Sequence, residues 1–462
     1  MNNTNNSQHI TFVVFGGTGD LTKKKLVPAF AQLLREHTLT ADSVIIGIAR
    51  GDFTHDSYKA LLLDSAKTNE EKDSIRKANI LFYKADSSER GALNELKSLI
   101  DGAEKTASHQ RIFYLATSYT LFPDIVDNLV QSKLNKHAHG VKIVFEKPFG
   151  SDLKSAKKIE RKLHAVFDES QMYRIDHYLG KETVQNILTL KFANPVIESL
   201  FTKEHVSKIE ITADEQADVG TRLGYYNGVG AIKDMIQSHL LQVAALTLMQ
   251  SPKNLDAESI RDAKVEVLKK LKLAPTSQQL IGTYKSFAAE LKASELPDHK
   301  TETFARLIFN CEMPKWKGVP IVIQTGKKLH KKFGQVVVHF KNKKAVGETD
   351  TAHGLQHVHH NKLVIDIHPT EDIKLYFNMR RRGSNVHLDY EPLDFCGECK
   401  YGPNTMDGYK RMISDVILGD KTLFPRTDEV LASWRVIAPL DKVKSQIRHI
   451  IYPDHSDAEK LL

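Results

Sequence analysis

Residues 10–26, ITFVVFGGTGDLTKKKL, join a short apolar run to a glycine-rich turn and then to a stretch with helical spacing. The apolar run is typical of a strand that is buried on both faces of a parallel sheet. Gly16 and Gly19 mark a tight turn, and Leu26 and Phe30 begin the apolar stripe of a helix. A strand, a glycine turn and a helix in this order predict the first unit of a doubly wound α/β domain.

The alternation of strand and helix continues to about residue 175. Segments with apolar residues at helical spacing separate the strand-like runs, which is typical of helical crossovers between parallel strands. The predicted strands of this region are 10–15, 43–48, 80–84, 111–115 and 141–145. We therefore place an α/β Rossmann-like, doubly wound N-terminal domain at residues 8–175.

Beyond residue 175 the pattern changes, because strand-like runs follow one another without a helix between each pair. Several of them alternate apolar with polar residues, which indicates an antiparallel sheet with one exposed face. The predicted strands are 208–212, 304–310, 321–324, 336–340, 363–367, 373–377 and 385–388, and the predicted helices are 230–249, 257–271, 407–418 and 428–437. Residues 176–462 are therefore predicted to form a larger α+β domain with a mostly antiparallel sheet.

Composition excludes several classes of protein. The 462 residues contain 65 Lys and Arg against 57 Asp and Glu, a net charge of +8, and 41% hydrophobic residues, which is too apolar for global disorder. The sequence has no nucleic-acid-binding motif and no apolar run of about 18 residues, so we expect neither a nucleic-acid nor a membrane partner. The first ten residues lack a secretory signal and there are three cysteines, which together predict a cytoplasmic protein.

The glycine-rich turn is the first candidate binding site. Backbone amides at the start of a helix bind a pyrophosphate well, although an ordinary βα turn would have the same spacing. The second strand runs into Arg50, where a chain that prefers NAD usually carries an acidic residue. Arginine there suits the 2′-phosphate of NADP, unless Arg50 is simply a surface cation. Thr18 and Lys25 add a hydroxyl and a charge.

Two further segments concentrate reactive side chains. Residues 174–182, RIDHYLGKE, offer an imidazole, a phenol and an ammonium group for an anion, and would otherwise be a solvated polar loop. Residues 232–242, IKDMIQSHLLQ, place Asp234 and His239 on a helix whose other face is apolar. A single histidine in such a helix is more often a structural residue of the core.

Taken with these segments, the sequence closely resembles the glucose-6-phosphate dehydrogenase family from about residue 10 to about residue 440. The resemblance rests on GGTGDLTKKKL at 16–26, EKPFG at 146–150, RIDHYLGKE at 174–182, IKDMIQSHLLQ at 232–242 and QTGKKL at 324–329. It implies oxidation of glucose 6-phosphate at C1 to 6-phosphoglucono-lactone with hydride transfer to NADP, the first step of the oxidative pentose phosphate pathway, and leaves use of NAD open. It also implies a homodimer or homotetramer, in keeping with the broad exposed sheet.

The resemblance implies roles for individual residues. By matching the family motifs, His239 is the catalytic base and Asp176 its partner. The implied substrate-binding residues are Lys147, His177, Tyr178, Lys181, Glu215, Asp234, Lys327 and, more loosely aligned, Lys332. The implied cofactor-binding residues are Gly16, Gly17, Thr18, Gly19, Asp20, Leu21, Lys25, Arg50 and Lys147.

The chain departs from the family pattern at several positions. Asn227 stands where the family often has Asp, and His368 stands where Gln is common. Asp366 replaces an Arg that some members use for a second, structural NADP, so that extra site is not expected. Residues 116–119, ATSY, replace the usual proline pair after the fourth strand.

Two weaker motifs have no assigned function. Cys396 and Cys399 form a CxxC, for which free thiols are the favoured interpretation, since zinc would need two more ligands. The histidines between 353 and 360 are dense, but no cysteine or carboxylate completes a metal site. Two other hypotheses stay open, namely an oxidoreductase for another sugar or polyol and a catalytically inactive anion-binding protein.

Overall fold

A computed structural model of the chain describes residues 9–104, 108–342, 358–383, 388–396 and 408–462. It divides into two compact units. The first unit comprises Met1–Gly180, Asp256–Glu258 and Met406–Leu431, and the second comprises Lys181–Leu255, Ser259–Thr405 and Ala432–Leu462. The second unit is therefore interrupted twice by segments that belong to the first.

The first unit is built on a six-stranded parallel sheet. Its strands are β1 (Ile10–Phe15), β2 (Val44–Ala49), β3 (Asn79–Lys84), β4 (Gln110–Leu115), β5 (Val141–Phe145) and β6 (Met172–Arg174). They lie in the order β3-β2-β1-β4-β5-β6. This is the doubly wound order, so the predicted Rossmann-like fold is confirmed. The carboxyl ends of all six strands consequently meet at one edge.

Helices connect these strands. They are Val27–Arg35, His55–Ser65, Asn69–Lys77, Leu96–Ala103, Phe122–Gln131 and Leu153–His164, joined from late in the chain by Gly408–Leu418. The strands pack against them through buried aliphatic and aromatic side chains such as Val13, Ile46, Phe113 and Ile143. The central strand positions are apolar in succession rather than in alternation, as burial on both sheet faces requires.

Arg174, the first residue of RIDHYLGKE, is a structural residue of this unit. Its guanidinium is fully buried and donates to Glu160 at 2.7 and 3.0 Å and to Glu169 at 2.6 Å. It also donates to the Thr427 hydroxyl at 2.6 Å. A buried guanidinium is tolerated only when its donors are satisfied in this way. Arg174 therefore joins the end of β6 to Glu160, Glu169 and Thr427.

The second unit is built on a ten-stranded mixed sheet. Its strands are β7 (Val206–Asp214), β8 (Leu271–Leu273), β9 (Leu280–Tyr284), β10 (Phe304–Cys311), β11 (Pro320–Gly326), β12 (Phe333–Phe340), β13 (Lys362–His368), β14 (Ile373–Arg380), β15 (Leu388–Phe395) and β16 (Arg448–Tyr452). Nine follow the order β15-β14-β13-β12-β7-β11-β10-β9-β16, and β8 pairs with β10. Only the β7–β11 and β9–β16 pairs are parallel, so the mostly antiparallel character is confirmed. Residues 385–387 of a predicted strand lie outside the described residues.

The helices of the second unit include the predicted 230–249 segment, which consists of a wide helix, Ile232–Leu240, continued by Leu241–Leu248. The other helices are Glu182–Phe192, Pro195–Leu200, Leu223–Tyr226, Ala257–Lys270, Phe287–Ala293, Thr427–Ile437 and Leu440–Val443. Two of these helices, Ala257–Lys270 and Thr427–Ile437, begin in segments that belong to the first unit. None of the helices in the described ranges has the length and apolar composition needed to cross a membrane.

Lys191 fixes the far end of the 232–248 helical segment. It is 1% exposed, and its ammonium group donates to the backbone oxygens of Leu246, Thr247 and Met249 at 3.2, 2.7 and 2.8 Å. These acceptors include the last carbonyls of the helix, which would otherwise be buried without partners. Burial lowers the pKa of Lys191.

Candidate active site

The glycine-rich turn lies at the carboxyl end of β1. The amides of Gly16 and Gly17 both donate to the Ile48 oxygen of β2, at 3.0 and 2.9 Å, and the Gly19 amide donates to the Gly16 oxygen at 2.9 Å. The Thr22 hydroxyl also donates to the Gly16 oxygen. The amides of all three glycines therefore form hydrogen bonds that stabilise the turn. The amides that follow, at the start of the helix, are the ones suited to bind a phosphate.

Steric constraints explain two of these glycines. Gly16 has a φ of +79°, and a Cβ there would lie 2.5 Å from the Ala116 oxygen. A Cβ on Gly17 would lie 2.8 Å from both the Gly47 Cα and the Tyr58 hydroxyl. Any side chain would push the turn away from the sheet edge, so the residues fit the close backbone approach of a dinucleotide pyrophosphate.

Arg50 directly follows β2, as the sequence predicts. Its side chain is 82% exposed and lies 4.0 Å from a carboxylate oxygen of Asp86, which follows β3. The Ser88 hydroxyl and amide hydrogen-bond to Asp86 and lower its pKa, with a smaller contribution from Arg50. Arg50 is therefore only loosely held by its neighbour. Lys25 lies in the short helical segment Thr22–Leu26 that leads into the Val27–Arg35 helix, and its ammonium lies 5.8 Å from the Tyr409 ring.

Glu146, which follows β5 in the EKPFG motif, is a residue that the sequence interpretation missed. It is 8% exposed, and the fully buried Tyr114 hydroxyl donates to its carboxylate at 2.5 Å. Burial raises the pKa of Glu146 to about 7, against the opposing effects of Tyr114, Lys147 and Tyr409. A carboxyl that titrates near neutrality beside Lys147 is typical of an active-site edge. Glu146 is part of the EKPFG motif, but the sequence does not show that its carboxyl is buried.

Asp176, His177 and Tyr178 follow β6 at the same edge of the sheet. Asp176 is 1% exposed, and one of its carboxylate oxygens accepts from the Tyr178 amide at 3.0 Å. The rings of His177 and Tyr178 meet edge to face, with centroids 5.1 Å apart. The turn therefore fixes the aspartate through its own backbone, as Asx turns do.

In the second unit, Asp234 and His239 lie on the wide helical segment Ile232–Leu240. They are 4% and 0% exposed. This segment has the i→i+5 bonding of a π-helix, and the Ser238 hydroxyl also bonds to the Lys233 oxygen five residues earlier. Such bonding places residues five apart one above the other, whereas an α-helix would turn them to different sides. The π geometry therefore brings Asp234 and His239 to one face.

Glu215 and Lys327 are brought together at the ends of neighbouring strands. Glu215 follows β7, Lys327 follows β11, and their side chains form a short ion pair. The Lys327 ammonium also lies 5.3 Å from the Tyr226 ring. The Glu215 amide donates to the Gly326 oxygen at 2.8 Å, which sets the register between the two residues.

Lys181 and Lys332 share a neighbour in His368, which ends β13. The Lys181 ammonium donates to the Ile367 oxygen at 3.1 Å. Burial lowers the pKa of His368, and the positive charges of Lys332 and Lys181 lower it further. This corner of the second unit therefore combines two cations with a histidine, which is a suitable environment for an anion.

The structure shows the contacts of several residues at which the chain departs from the family pattern, and of the two weaker motifs. The Asn227 amide group donates to the Pro297 oxygen at 2.6 Å, a bond that an ionised Asp at this position would not donate, and Asp366 pairs with Lys374 at 2.9 Å. Cys396 is disulfide-bonded, so the expectation of a free thiol is wrong there, while Cys399 lies outside the described residues. The ring of His359 lies tilted against that of Tyr390, with centroids 4.7 Å apart, whereas His353 and His357 lie outside the described residues.

The sheet order and the glycine turn are typical of dinucleotide-binding proteins, and the same chain carries a mixed-sheet unit with a buried histidine and acidic and basic side chains. Comparison with family models makes the assignment specific. The model described as "Glucose-6-phosphate dehydrogenase, NAD binding domain" matches residues 13–186, and that described as "Glucose-6-phosphate dehydrogenase, C-terminal domain" matches residues 188–460. The chain belongs to the glucose-6-phosphate dehydrogenase family and is an oxidoreductase of carbohydrate metabolism.

Individual relatives agree. The chain is 33% identical to the glucose-6-phosphate 1-dehydrogenase of Bacillus subtilis, with 94% of this chain and 91% of that protein covered. It is 32% identical to the enzyme of Chlamydia muridarum, with 96% and 92% covered. A solved glucose-6-phosphate dehydrogenase in complex with its substrate glucose-6-phosphate matches with a TM-score of 0.87 at 30% identity, covering 98% of this chain and 96% of that one.

The electrostatics around His368 can be tested without any ligand. Replacing Lys332 by Met removes one positive charge beside the imidazole, so the pKa of His368 should rise towards its ordinary value. Histidine-detected NMR titration measures this shift. Lys253→Met, an exposed lysine elsewhere in the unit, is the control and should leave the titration unchanged. An unaltered pKa in Lys332→Met would show that the two groups are not electrostatically coupled.

Proposed function

We propose that the chain oxidises glucose 6-phosphate at C1 to 6-phosphoglucono-lactone with NADP as the preferred hydride acceptor, as the first step of an oxidative pentose phosphate pathway. The observation that carries the proposal is the match, over 98% of the chain, to a glucose-6-phosphate dehydrogenase solved with its substrate. The buried histidine and the lysines that follow the sheet strands supply the chemistry that this reaction requires.

The first unit supports a nicotinamide dinucleotide. Its glycine turn leaves room for the pyrophosphate, and Thr18, Asp20 and Leu21 lie where the helix amides begin. When bound, the dinucleotide supplies the hydride acceptor. The exposed Arg50 favours NADP, because a guanidinium binds a 2′-phosphate through charge-assisted hydrogen bonds that NAD cannot form.

The second unit supports the acid–base step. The C1 hydroxyl must lose its proton as hydride leaves, and an imidazole titrates in the right range to accept it. We assign that proton to His239, with Asp176 as the residue that orients the ring, in keeping with the family motifs. His239 is fully buried, an environment in which bulk water is kept from the basic nitrogen.

The remaining polar residues are assigned to substrate binding. His177, Tyr178, Lys181, Lys327 and Lys332 are proposed to bind the dianionic phosphate. Glu215 and Asp234 are proposed to bind sugar hydroxyls, and Lys147 to lie near both the sugar and the nicotinamide. The Glu215–Lys327 ion pair keeps both charges compensated before substrate arrives, so binding exchanges one anion for another.

Cofactor choice is tested by Arg50→Ala. Wild-type protein with glucose 6-phosphate should reduce NADP faster than NAD when nicotinamide absorbance is followed. The variant should lose roughly 10- to 100-fold in kcat/KM for NADP while NAD is little affected, which corresponds to loss of a charge-assisted hydrogen bond. Arg76→Ala, another exposed arginine of the first unit, is the control. An unchanged NADP-to-NAD ratio would exclude Arg50 as the determinant, and no reduction of either cofactor by wild type would refute the enzymatic function.

The base is tested by His239→Asn. This change removes the proton acceptor and should lower kcat by at least about 10²-fold while substrate affinity stays largely intact. Steady-state kinetics and equilibrium binding of glucose 6-phosphate measure the two effects. His205→Asn, an exposed histidine of the same unit, should behave as wild type. Undiminished turnover in the His239 variant would remove it as the base.

We also propose that the chain self-associates, as a homodimer or homotetramer, through the β14–β15 end of the larger sheet. The pairing register puts Leu375 opposite Leu393 and Ile373 opposite Phe395, so these side chains share one face. Leu393 is 69% exposed and Phe395 is 48% exposed. An apolar face on an edge strand is a liability unless it is covered, and a second copy presents the same complementary surface.

Self-association is tested by the double change Leu393→Asp and Phe395→Asp. Two charges on the apolar face should shift sedimentation velocity from oligomer to monomer, because ionised carboxylates resist burial in an interface. Val196→Asp, at a residue that is 73% exposed in the Pro195–Leu200 helix, is the matched control. An oligomer that persists in the double variant would place the interface elsewhere.

The proposed location is the cytoplasm. Three cysteines in 462 residues allow one disulfide at most, which is far short of the disulfide framework of a typical secreted protein.

A further inference from the structure

The segment Thr301-Glu302-Thr303 lies just before β10 and belongs to none of the motifs that identify the family. All three residues are buried, at 5%, 2% and 0% exposure. A carboxylate that is almost completely removed from water is costly unless it accepts several hydrogen bonds or pairs with a cation. Glu302 therefore needs a structural or functional explanation.

Glu302 contacts the start of the helical segment that carries Asp234 and His239. Its carboxylate accepts from the Ile232 amide at 3.1 Å, and its backbone oxygen accepts from the Ala231 amide at 2.9 Å. Helix N-termini have amides without partners inside the helix, and an acidic side chain also stabilises the positive end of the helix dipole. Glu302 is thus a cap that is supplied by a distant part of the chain.

A glycine two positions before this helical segment is adapted to the cap. Gly230 has a φ of +73°, and a Cβ there would lie 2.3 Å from the Glu302 carboxylate oxygen. Only glycine combines this backbone conformation with the close approach of the carboxylate. The position of the Glu302 carboxylate therefore depends on a glycine at residue 230.

The neighbouring threonine reaches a second set of site residues. The Thr303 oxygen accepts from the Lys327 amide at 2.9 Å, and the Thr303 hydroxyl hydrogen-bonds to the Tyr452 hydroxyl at 2.8 Å. That tyrosine in turn donates to the Lys327 oxygen at 2.7 Å. One short segment thus holds both the backbone of Lys327 and the start of the Asp234–His239 helix.

Lys444 supplies the charge that compensates Glu302. The two form a short ion pair in which Glu302 is buried and the lysine side chain is 38% exposed. Both residues line a cavity of about 360 Å³. Water therefore reaches the lysine more readily than the carboxylate, so the cap is the better protected of the two interactions.

We propose that Glu302 is a positioning residue for the reaction, one that sets the placement of Asp234 and His239 by capping their helix. This inference rests on the proposed function, since it assigns those two residues their roles. Asp234 is in the first turn after the cap, so loss of the bond to Ile232 displaces it most directly. Displacement by about an ångström at a reacting centre is enough to reduce turnover by as much as about 10²-fold.

The test compares Glu302→Gln with Glu302→Ala. The Gln side chain retains an oxygen that accepts from the Ile232 amide, whereas Ala removes both the cap and the ion pair. Glu302→Ala should lower kcat/KM for glucose 6-phosphate by roughly 10- to 100-fold, with a lower kcat and a higher KM, while Glu302→Gln stays within about 5-fold of wild type. Lys444→Met, which removes only the ion pair, should stay within a similar range.

A purely structural role is distinguished by measurements that do not depend on turnover. Circular dichroism and NADP binding confirm that each variant is folded, and kinetics are expressed per NADP-binding site. A structural role alone would lower the melting temperature and leave KM and kcat per site unchanged. A lower melting temperature with unchanged KM and kcat per site would overturn the inference, and so would equal defects in the Gln and Ala variants. In either case turnover by the wild type would still uphold the proposed function. Absence of turnover in wild type would instead refute the proposed function, and the inference with it.

Discussion

Parallel hydrogen bonding in the first unit is the constraint on which its candidate site depends. Because all six strands run in the same direction, every chain segment that leaves a strand emerges at one edge. The residues concerned are Gly16 after β1, Arg50 after β2, Asp86 after β3, Glu146 and Lys147 after β5, and Asp176 after β6. Residues that are far apart in sequence thus become neighbours at one edge through the topology of the sheet rather than through any local motif.

The second unit positions its functional groups differently, through helix geometry and buried polar contacts. A π-helical segment places Asp234 and His239 on one face, which ordinary helical spacing would not do. Glu302 holds the start of this segment, and Lys191 satisfies the carbonyls at the end of the helix that continues it. Both ends are therefore held by polar side chains that are themselves buried. Such contacts restrict how far the segment can move, because breaking either one leaves unsatisfied polar groups in the interior.

The five strands predicted for the first unit agree with β1–β5 to within a residue, because continuous apolar runs are strong local signals. The three-residue strand β6 was not predicted, since so short a segment carries no periodicity. The larger sheet was predicted as mostly antiparallel, although its two parallel pairs, β7–β11 and β9–β16, could not be inferred from alternation alone. Burial changed the interpretation of several polar residues. Arg174 appears in a motif rich in reactive groups, yet it is a fully buried structural cation. Glu146 adjoins a lysine that was predicted to bind ligands, and only its burial reveals a carboxyl that titrates near 7.

The sequence by itself determined the fold class and the family, because these depend on periodicity and on motifs of contiguous residues. Only the tertiary structure decided which polar side chains are buried and with which groups they pair. Glu302 and Lys444 are separated by 142 positions, and nothing local to either residue predicts their ion pair. The physical reason is that the cost of burying a charge depends on every group that surrounds it in space, and those groups are gathered by the fold rather than by adjacency in the chain.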